Sequence, residues 1–282
     1  MGEGQFYRPG NLQEACELLA QHGDKARLLA GGTDLMVQLN RRLLALDALI
    51  YLGACGLDYI KEDGGDLVIG AGTTHAAIVR SELVQQRAPL LAEVISTIGS
   101  AAIQNQGTIG GNLGNASPAA DSAAALLALG ASLRLKSTGG ERVVPVSEFI
   151  VGPGQTALQA GELIQEIIVP AQPAGLKWAF RKIGKRRADV CPTISMAVAL
   201  EMDGGQCKAA RIALGSAAPT PLLAEKAAAL LVGKTLDAEV IGQAAQAVAG
   251  ETSPIDDVRA SAWYRRRASE ALTRELVGTM VG

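Results

Sequence analysis

The 282-residue sequence predicts an α+β protein. An α/β opening, in which strands deliver glycine turns, is followed from about residue 172 by a smaller C-terminal part with an antiparallel sheet and helices. Three observations carry this. Short apolar runs alternate with amphipathic helical stretches through the first half. Two of those runs end in glycine-rich turns that open helices. Beyond "PAQPAG" (170–175) the pattern changes to longer apolar runs around a Gly-containing turn, then three helical stretches.

In order along the chain, "NLQEACELLAQHG" (11–23) is an amphipathic helix whose stripe is Leu12, Ala15, Cys16, Leu18 and Leu19. Gly23 follows its end, and His22 is expected there as a solvated imidazole favoured by the helix dipole. "ARLLAGG" (26–32), "ALIYLG" (48–53) and "DLVIGAG" (66–72) read as strands. The stretch 74–107 reads as helices broken near Pro89, with Thr73 or Thr74 as a cap and His75 in the first turn. "SLRLKSTGGERVVPVSEFIVG" (132–152) reads as strands around a Gly-Gly hairpin, and "ELIQEIIVP" (162–170) as a strand closed by Pro170. In the last third, runs on either side of Asp203, Gly204 and Gly205 predict antiparallel strands; 225–233, 238–251 and 261–281 predict helices.

Two glycine turns carry the chemical signal. In "RLLAGGTDLMVQLN" (27–40), Leu28, Leu29 and Ala30 end a strand, Gly31 and Gly32 turn, and Thr33 and Asp34 cap a helix that starts at Leu35 and runs on through residue 46. In "TIGGNLGNASPAADSA" (108–123), Gly110 and Gly111 fall in a loop that feeds a helix with Ser117 as N-cap, Pro118 at its first position and Asp121 in its first turn. A glycine turn at a helix N-terminus offers N–H groups without partners and a positive dipole end to an anion. Two of them point to a phosphate-bearing ligand held from two sides, the alternative being purely structural turns.

Other chemistries find little support. Net charge is −2, so no general nucleic-acid footprint is expected, although "FRKIGKRRAD" (180–189) is locally basic. No apolar stretch is long enough for a membrane span, the start lacks a signal-peptide layout, and a cytoplasmic protein is expected. Cys16, Cys55, Cys191 and Cys207 are widely separated, and His22 and His75 have no ligand-spaced neighbours; neither a disulfide framework nor a metal site is expected. Gly70 and Gly72 begin a G-x-G after a strand, but His75 stands where the third glycine of a dinucleotide fingerprint belongs.

Taken together, "LLAGGTDL", "TIGGNLGNASPAAD" and "FRKIGKRRAD" resemble the FAD-binding medium subunit of the molybdenum hydroxylases, the xanthine dehydrogenase and carbon monoxide dehydrogenase family, nearly end to end. The resemblance implies an FAD-binding domain over 1–171 in two α/β parts, about 1–57 and 58–171, and a C-terminal α+β domain over 172–282. It implies that Leu28, Leu29, Ala30, Gly31, Gly32, Thr33, Asp34 and Leu35 run along FAD, the glycine turn lying around its pyrophosphate. Thr108, Ile109, Gly110, Gly111 and Asn112 lie opposite, with Asn115 and Asp121 as further polar contacts, Asp121 toward the adenosine part. Ile164 matches an aliphatic contact to the flavin end and Lys182 a lysine contact; read from the sequence alone, these are a core strand residue and a solvated charge. Some relatives carry an aromatic residue shortly after that lysine, where this sequence has Val190 and Cys191. The branch with an extra iron–sulfur insertion is excluded by the scattered cysteines.

The same resemblance implies an enzyme subunit with no catalytic acid, base or nucleophile of its own. A large subunit carries the molybdenum cofactor and a small one carries two-iron iron–sulfur clusters; electrons reach FAD on this chain and leave to NAD or another acceptor. The redox chemistry belongs to the flavin and its tuning to the protein. Two rivals remain: a self-sufficient flavin-dependent oxidoreductase acting on its own small substrate, and an interaction subunit that has lost FAD. The few aromatic residues, 3% of the chain, argue against the first and the intact glycines against the second.

Overall fold

A computed structural model describes residues 4–186 and 189–281; Arg187 and Ala188 of the basic run, and Met1, Gly2 and Glu3 at the start, lie outside the described residues. The first part is β1 (Gln5–Tyr7), α1 (Leu12–His22), β2 (Ala26–Leu29), α2 (Leu35–Asn40) and β3 (Ala48–Tyr51). Its three strands form a parallel sheet in the order β1-β3-β2. Asn11 caps α1 by accepting from Glu14 N, and Gly23 ends it at φ 54°, as the sequence predicts. Ala15 and Cys16 of α1 pack with Ala48 and Ile50 into a small core of their own.

The second part is β4 (Ile60–Asp63), β5 (Asp66–Gly70), α3 (His75–Arg80), α4 (Glu82–Arg87), α5 (Pro89–Ser96), α6 (Ala101–Gln106), α7 (Ile109–Gly114) and α8 (Asp121–Leu129), then β6 (Ser132–Ser137), β7 (Gly140–Pro145), α9 (Val146–Phe149), β8 (Ile150–Gly152), β9 (Gln155–Thr156) and β10 (Leu163–Val169). Its five-stranded sheet, β4-β5-β10-β6-β7, is antiparallel throughout, so the parallel arrangement is confined to the first part. Thr74 caps α3 and Pro89 opens α5, as predicted.

The last part is β11 (Lys177–Ile183), β12 (Ile194–Asp203), β13 (Gln206–Gly215) and β14 (Leu222–Leu223), followed by α10 (Glu225–Leu231), α11 (Ala238–Glu251) and α12 (Ala262–Val281). Its sheet is antiparallel in chain order, and Gly204 and Gly205 make the predicted turn with positive φ. One face of this sheet carries the three helices on Met196, Val198 and Leu214. The other presents Ala197, Ala199 and Ala213 to α8.

All nine residues of α8 are buried. A helix buried on every side is an inner layer; its alanines let β12 and β13 of the last sheet approach closely, and α5, α7 and α9 cover it elsewhere. The run "AAALLAL" is therefore the central slab of the molecule, and its first residue, Asp121, is a carboxylate held inside it.

Four expectations are corrected here. The helix expected from Ser117 and Pro118 starts at Asp121 instead: Ser117 is spent on a turn in which its Oγ accepts from Ala119 N and its carbonyl from Ala120 N. The glycines of the second motif lie in the short helix α7 rather than in a loop, because Thr108 caps it by accepting from Gly111 N. The helix after the first motif ends at Asn40, short of residue 46, and the Asp34 side chain makes no capping bond. His22 is half-buried against the Tyr7 ring, with Nε2 enclosed and unpartnered, rather than solvated.

Candidate functional site

The two glycine turns meet. Gly31 lies so close to the chain ahead of α7 that a Cβ there would stand 1.8 Å from Gln106 O and 3.1 Å from Gly107 Cα. Backbone touches backbone, which only glycine permits. Gly32 follows at φ 74°, the left-handed conformation that turns the chain into α2. Among the described residues, the N–H groups of Gly32, Thr33, Asp34 and Leu35 have no acceptor. Successive unpaired donors at a helix start are a nest for an anion.

On the facing side, residues 107–110 are backed by the strand end that precedes α3. Gly107 O accepts from His75 N, Thr73 O from Ile109 N, and Ala71 O from Gly110 N. Gly110 is glycine for packing, since a Cβ would come within 2.6 Å of Ala71. Gly111 differs: it is exposed, and a Cβ would meet only the Thr108 hydroxyl, at 2.9 Å. Asn112 Oδ1 accepts from Ser122 Oγ, tying α7 to the start of α8. Asn115 N closes onto Gly111 O. His75 is buried against Gly107, and burial lowers its pKa to about 4, so its ring is neutral at pH 7.

At the end of α7, Ile164 is buried in the main core with its Cδ1 3.9 Å from the position of a Cβ on Gly114. β10 carries a bulge between Ile164 and Glu166, the kind of irregularity that re-aims side chains at a site. Further on, Lys182 is neither solvated nor alone: its Nζ is 2.6 Å from Asp121 Oδ2 and donates to Thr97 O at 3.0 Å. Next to them a cavity of about 620 Å³ opens between α5 and the end of β11, lined by Thr97, Phe180, Lys182 and Val190, with Arg181 and Lys185 among its charged residues. Val190 stands at this cavity where the resemblance expects an aromatic ring, and its methyl groups pack on Gly184.

Sequence reasoning named both glycine turns but missed their support. The contact of Gly31 on Gln106 and the ladder between 71–75 and 107–110 are long-range, and the only hint was Gly70 and Gly72 in "VIGAGTTH". Those two glycines serve close packing against Leu57: a Cβ on Gly70 would be 2.2 Å from Leu57 O. They make no nucleotide fingerprint.

An extended dinucleotide fits this arrangement. The 31–35 turn has unpaired donors suited to phosphate, and the exposed Gly111 presents no side chain at the second turn. Among the described residues no cluster of His, Cys, Asp or Glu that could hold a metal ion occurs, and no helix is long and apolar enough to cross a membrane.

Comparison with known proteins gives the same reading. Residues 2–172 match the family described as the FAD binding domain in molybdopterin dehydrogenase, and residues 178–280 the CO dehydrogenase flavoprotein C-terminal domain. The chain is 36% identical to the carbon monoxide dehydrogenase medium chain of Afipia carboxidovorans over 98% of its own length and 96% of that protein. It is 31% identical to the xanthine dehydrogenase FAD-binding subunit of Escherichia coli, over 98% and 95%. A solved structure of carbon monoxide dehydrogenase from Hydrogenophaga pseudoflava superposes with a TM-score of 0.95 at 35% identity, covering 98% of this chain and 96% of that one.

Proposed function

The chain belongs to the family of FAD-binding medium subunits of the molybdenum hydroxylases, and from that premise we propose that it is the electron-transfer flavoprotein of a three-chain oxidoreductase complex. The observation that carries the proposal is the close seating of Gly31 on Gln106, which joins the turn with the unpaired N–H groups of 32–35 to the segment leading into α7. In this reading the 28–35 segment and Thr108, Ile109, Gly110, Gly111 and Asn112 hold the FAD pyrophosphate. Asn115 lies along the rest of the cofactor and Ile164 and Lys182 lie at the flavin end; Asp121, 2.6 Å from Lys182, lies there with it rather than toward the adenosine part.

FAD supplies reversible electron acceptance; the residues bind it, orient it and shield it from water. Residues 1–171 form the cofactor domain, divided near 57, and 172–282 the C-terminal domain. The partners are a large molybdenum-cofactor subunit and a small subunit with two-iron clusters, and the acceptor is NAD or another oxidant; the complex is cytoplasmic. Exposed Ile255, Val258 and Trp263, the last two 88% and 70% accessible, support a partner-covered surface.

The test is spectroscopic and enzymatic. The purified chain with added FAD should show a bound-flavin absorbance spectrum, pass electrons from NADH to a dye, and oxidise no purine, aldehyde or heterocycle until the two other chains are present. Robust substrate oxidation by the single chain would make it a self-sufficient flavoenzyme instead.

A further inference from the structure

Lys182 and Asp121 meet where the two large parts of the molecule join. Asp121 opens α8, Lys182 sits on β11 directly opposite Ser195 of β12, and Thr97 follows α5. Both side chains are nearly enclosed, 3% of Asp121 and 10% of Lys182 remaining accessible. Two of the three Lys182 donors are accounted for, by Asp121 Oδ2 at 2.6 Å and Thr97 O at 3.0 Å. For the third there is no acceptor among the described residues, and Lys182 lines the 620 Å³ cavity together with Thr97. The far side of the carboxylate is enclosed too: Asp121 Oδ1 and Ser195 Oγ are both buried, the Ser195 hydroxyl favours the ionised carboxylate, and neither atom has another partner among the described residues.

We infer that Asp121, backed by Ser195, is a positioning residue that fixes the Lys182 ammonium so that its remaining N–H is aimed at the cofactor, rather than a group that touches FAD itself. This rests on the reading that the flavin end lies toward Lys182. The physical reason is the cost of enclosure. An enclosed lysine without a counter-charge gives up its proton, and one with a single hydrogen bond swings through several rotamers. A carboxylate on one side and the Thr97 carbonyl on the other hold both the charge and the direction. A carboxylate placed directly on a phosphate-bearing ligand would instead repel it. Burial raises the Asp121 carboxyl pKa, and the Lys182 charge and the Ser195 hydroxyl counter that rise, as a pair built around the lysine requires.

The experiment is a double-mutant cycle on the full chain, read by FAD titration of the apoprotein and by the visible band of the bound flavin. The variants are Asp121→Asn, Lys182→Met and the two combined, with Ser195→Ala as a milder perturbation of the same group. Each of Asp121→Asn and Lys182→Met should weaken FAD binding about tenfold or more, the size of one charge-assisted hydrogen bond. Both should move the flavin band to the same position, and the double variant should bind no worse than Lys182→Met alone. Ser195→Ala should show a smaller loss that vanishes in the Lys182→Met background, which keeps the test intact if Asp121→Asn does not fold. Losses that multiply, or an Asp121→Asn protein with native affinity, would overturn the inference and leave FAD binding standing. Failure of the native chain to take up FAD would instead overturn the functional reading beneath it.

Discussion

Substituting Gly31 by alanine places one methyl group in the seam between the two lobes of the cofactor site. The added Cβ would lie 1.8 Å from Gln106 O and 2.6 Å from Gln106 C, where real Cβ atoms essentially never come under 3.0 Å. The shortfall is about 1.2 Å, and both partners are backbone, so no rotamer change relieves it. The turn must lift away from the segment ahead of α7. Overpacking of this kind costs about 1–3 kcal/mol of stability. For a chain of this size that lowers Tm by roughly 2–4 °C per kcal/mol. The effect on the cofactor should be larger. Moving the turn by an ångström takes one or two N–H groups of 32–35 out of reach of a phosphate, and each such charge-assisted bond contributes about 1.5–3 kcal/mol. FAD affinity should therefore fall by about a hundredfold. Fluorescence quenching of FAD on titration with apoprotein measures the affinity, and calorimetry of the apoprotein the stability. An alanine variant that binds FAD as tightly as the native chain would refute the claim that this seam sets the geometry of the phosphate site.

Gly111→Val should behave in the opposite proportion: its Cβ presses on the Thr108 hydroxyl that caps α7, so the apoprotein should lose about 1 kcal/mol, the worth of a cap, and stay folded, while FAD occupancy after purification falls sharply, as absorbance at the flavin band would report. His75 is buried, His22 packs on Tyr7, and three of the four free cysteines are buried; acid precipitation of the holoprotein should leave all flavin in the supernatant, and flavin in the pellet would contradict this. The His75 pKa, lowered to about 4 by burial, makes stability depend on pH: the unfolded chain takes up this proton from about pH 6.5 downward and the folded chain only near 4, so stability is fully present above 6.5 and is lost between those values. The loss is about 3 kcal/mol at most, and His75→Gln should flatten that part of a urea-denaturation series run from pH 7 to pH 4. An unchanged slope would mean that the imidazole is not held neutral.

How far the sequence reveals this depends on the range of the interaction. α1, α5 and α12 announce themselves by spacing, caps and punctuation, which are local. The turn at Gly204 and Gly205 does the same for the last sheet. β1, β4 and the β8–β9 pair are short and exposed in part, and nothing in "QFY" or "IKED" requires a strand until a neighbour supplies the other half of the ladder. The start of α8 was misplaced for a related reason. Ser117 and Pro118 satisfy every local rule for a helix start, yet their backbone is claimed from elsewhere: Pro118 O accepts from Ser216 N of the last part, and the chain straightens before it can coil.

At the site itself the same distinction separates two kinds of glycine that look alike in sequence. Gly31 and Gly110 are glycines because protein backbone occupies the place of their side chains, Gln106 in one case and Ala71 in the other. Gly32 supplies a left-handed turn, and Gly111 is exposed, with only the Thr108 hydroxyl near the place of its side chain. In each "GG" one residue is thus set by close backbone packing, Gly31 on Gln106 and Gly110 on Ala71, and the other is the one proposed to serve the ligand. It follows that the cradle is not a pair of independent phosphate loops. The first turn is fixed by leaning on 106–107, that segment by its ladder to 71–75, and α7 by the bond from Ser122 to Asn112 at the head of the buried α8. A fully buried helix packed on the last sheet and on α5, α7 and α9 is among the least compliant elements of the fold, and anchoring α7 to it holds both turns in place without a ligand, the preorganisation that the proposed cofactor site needs.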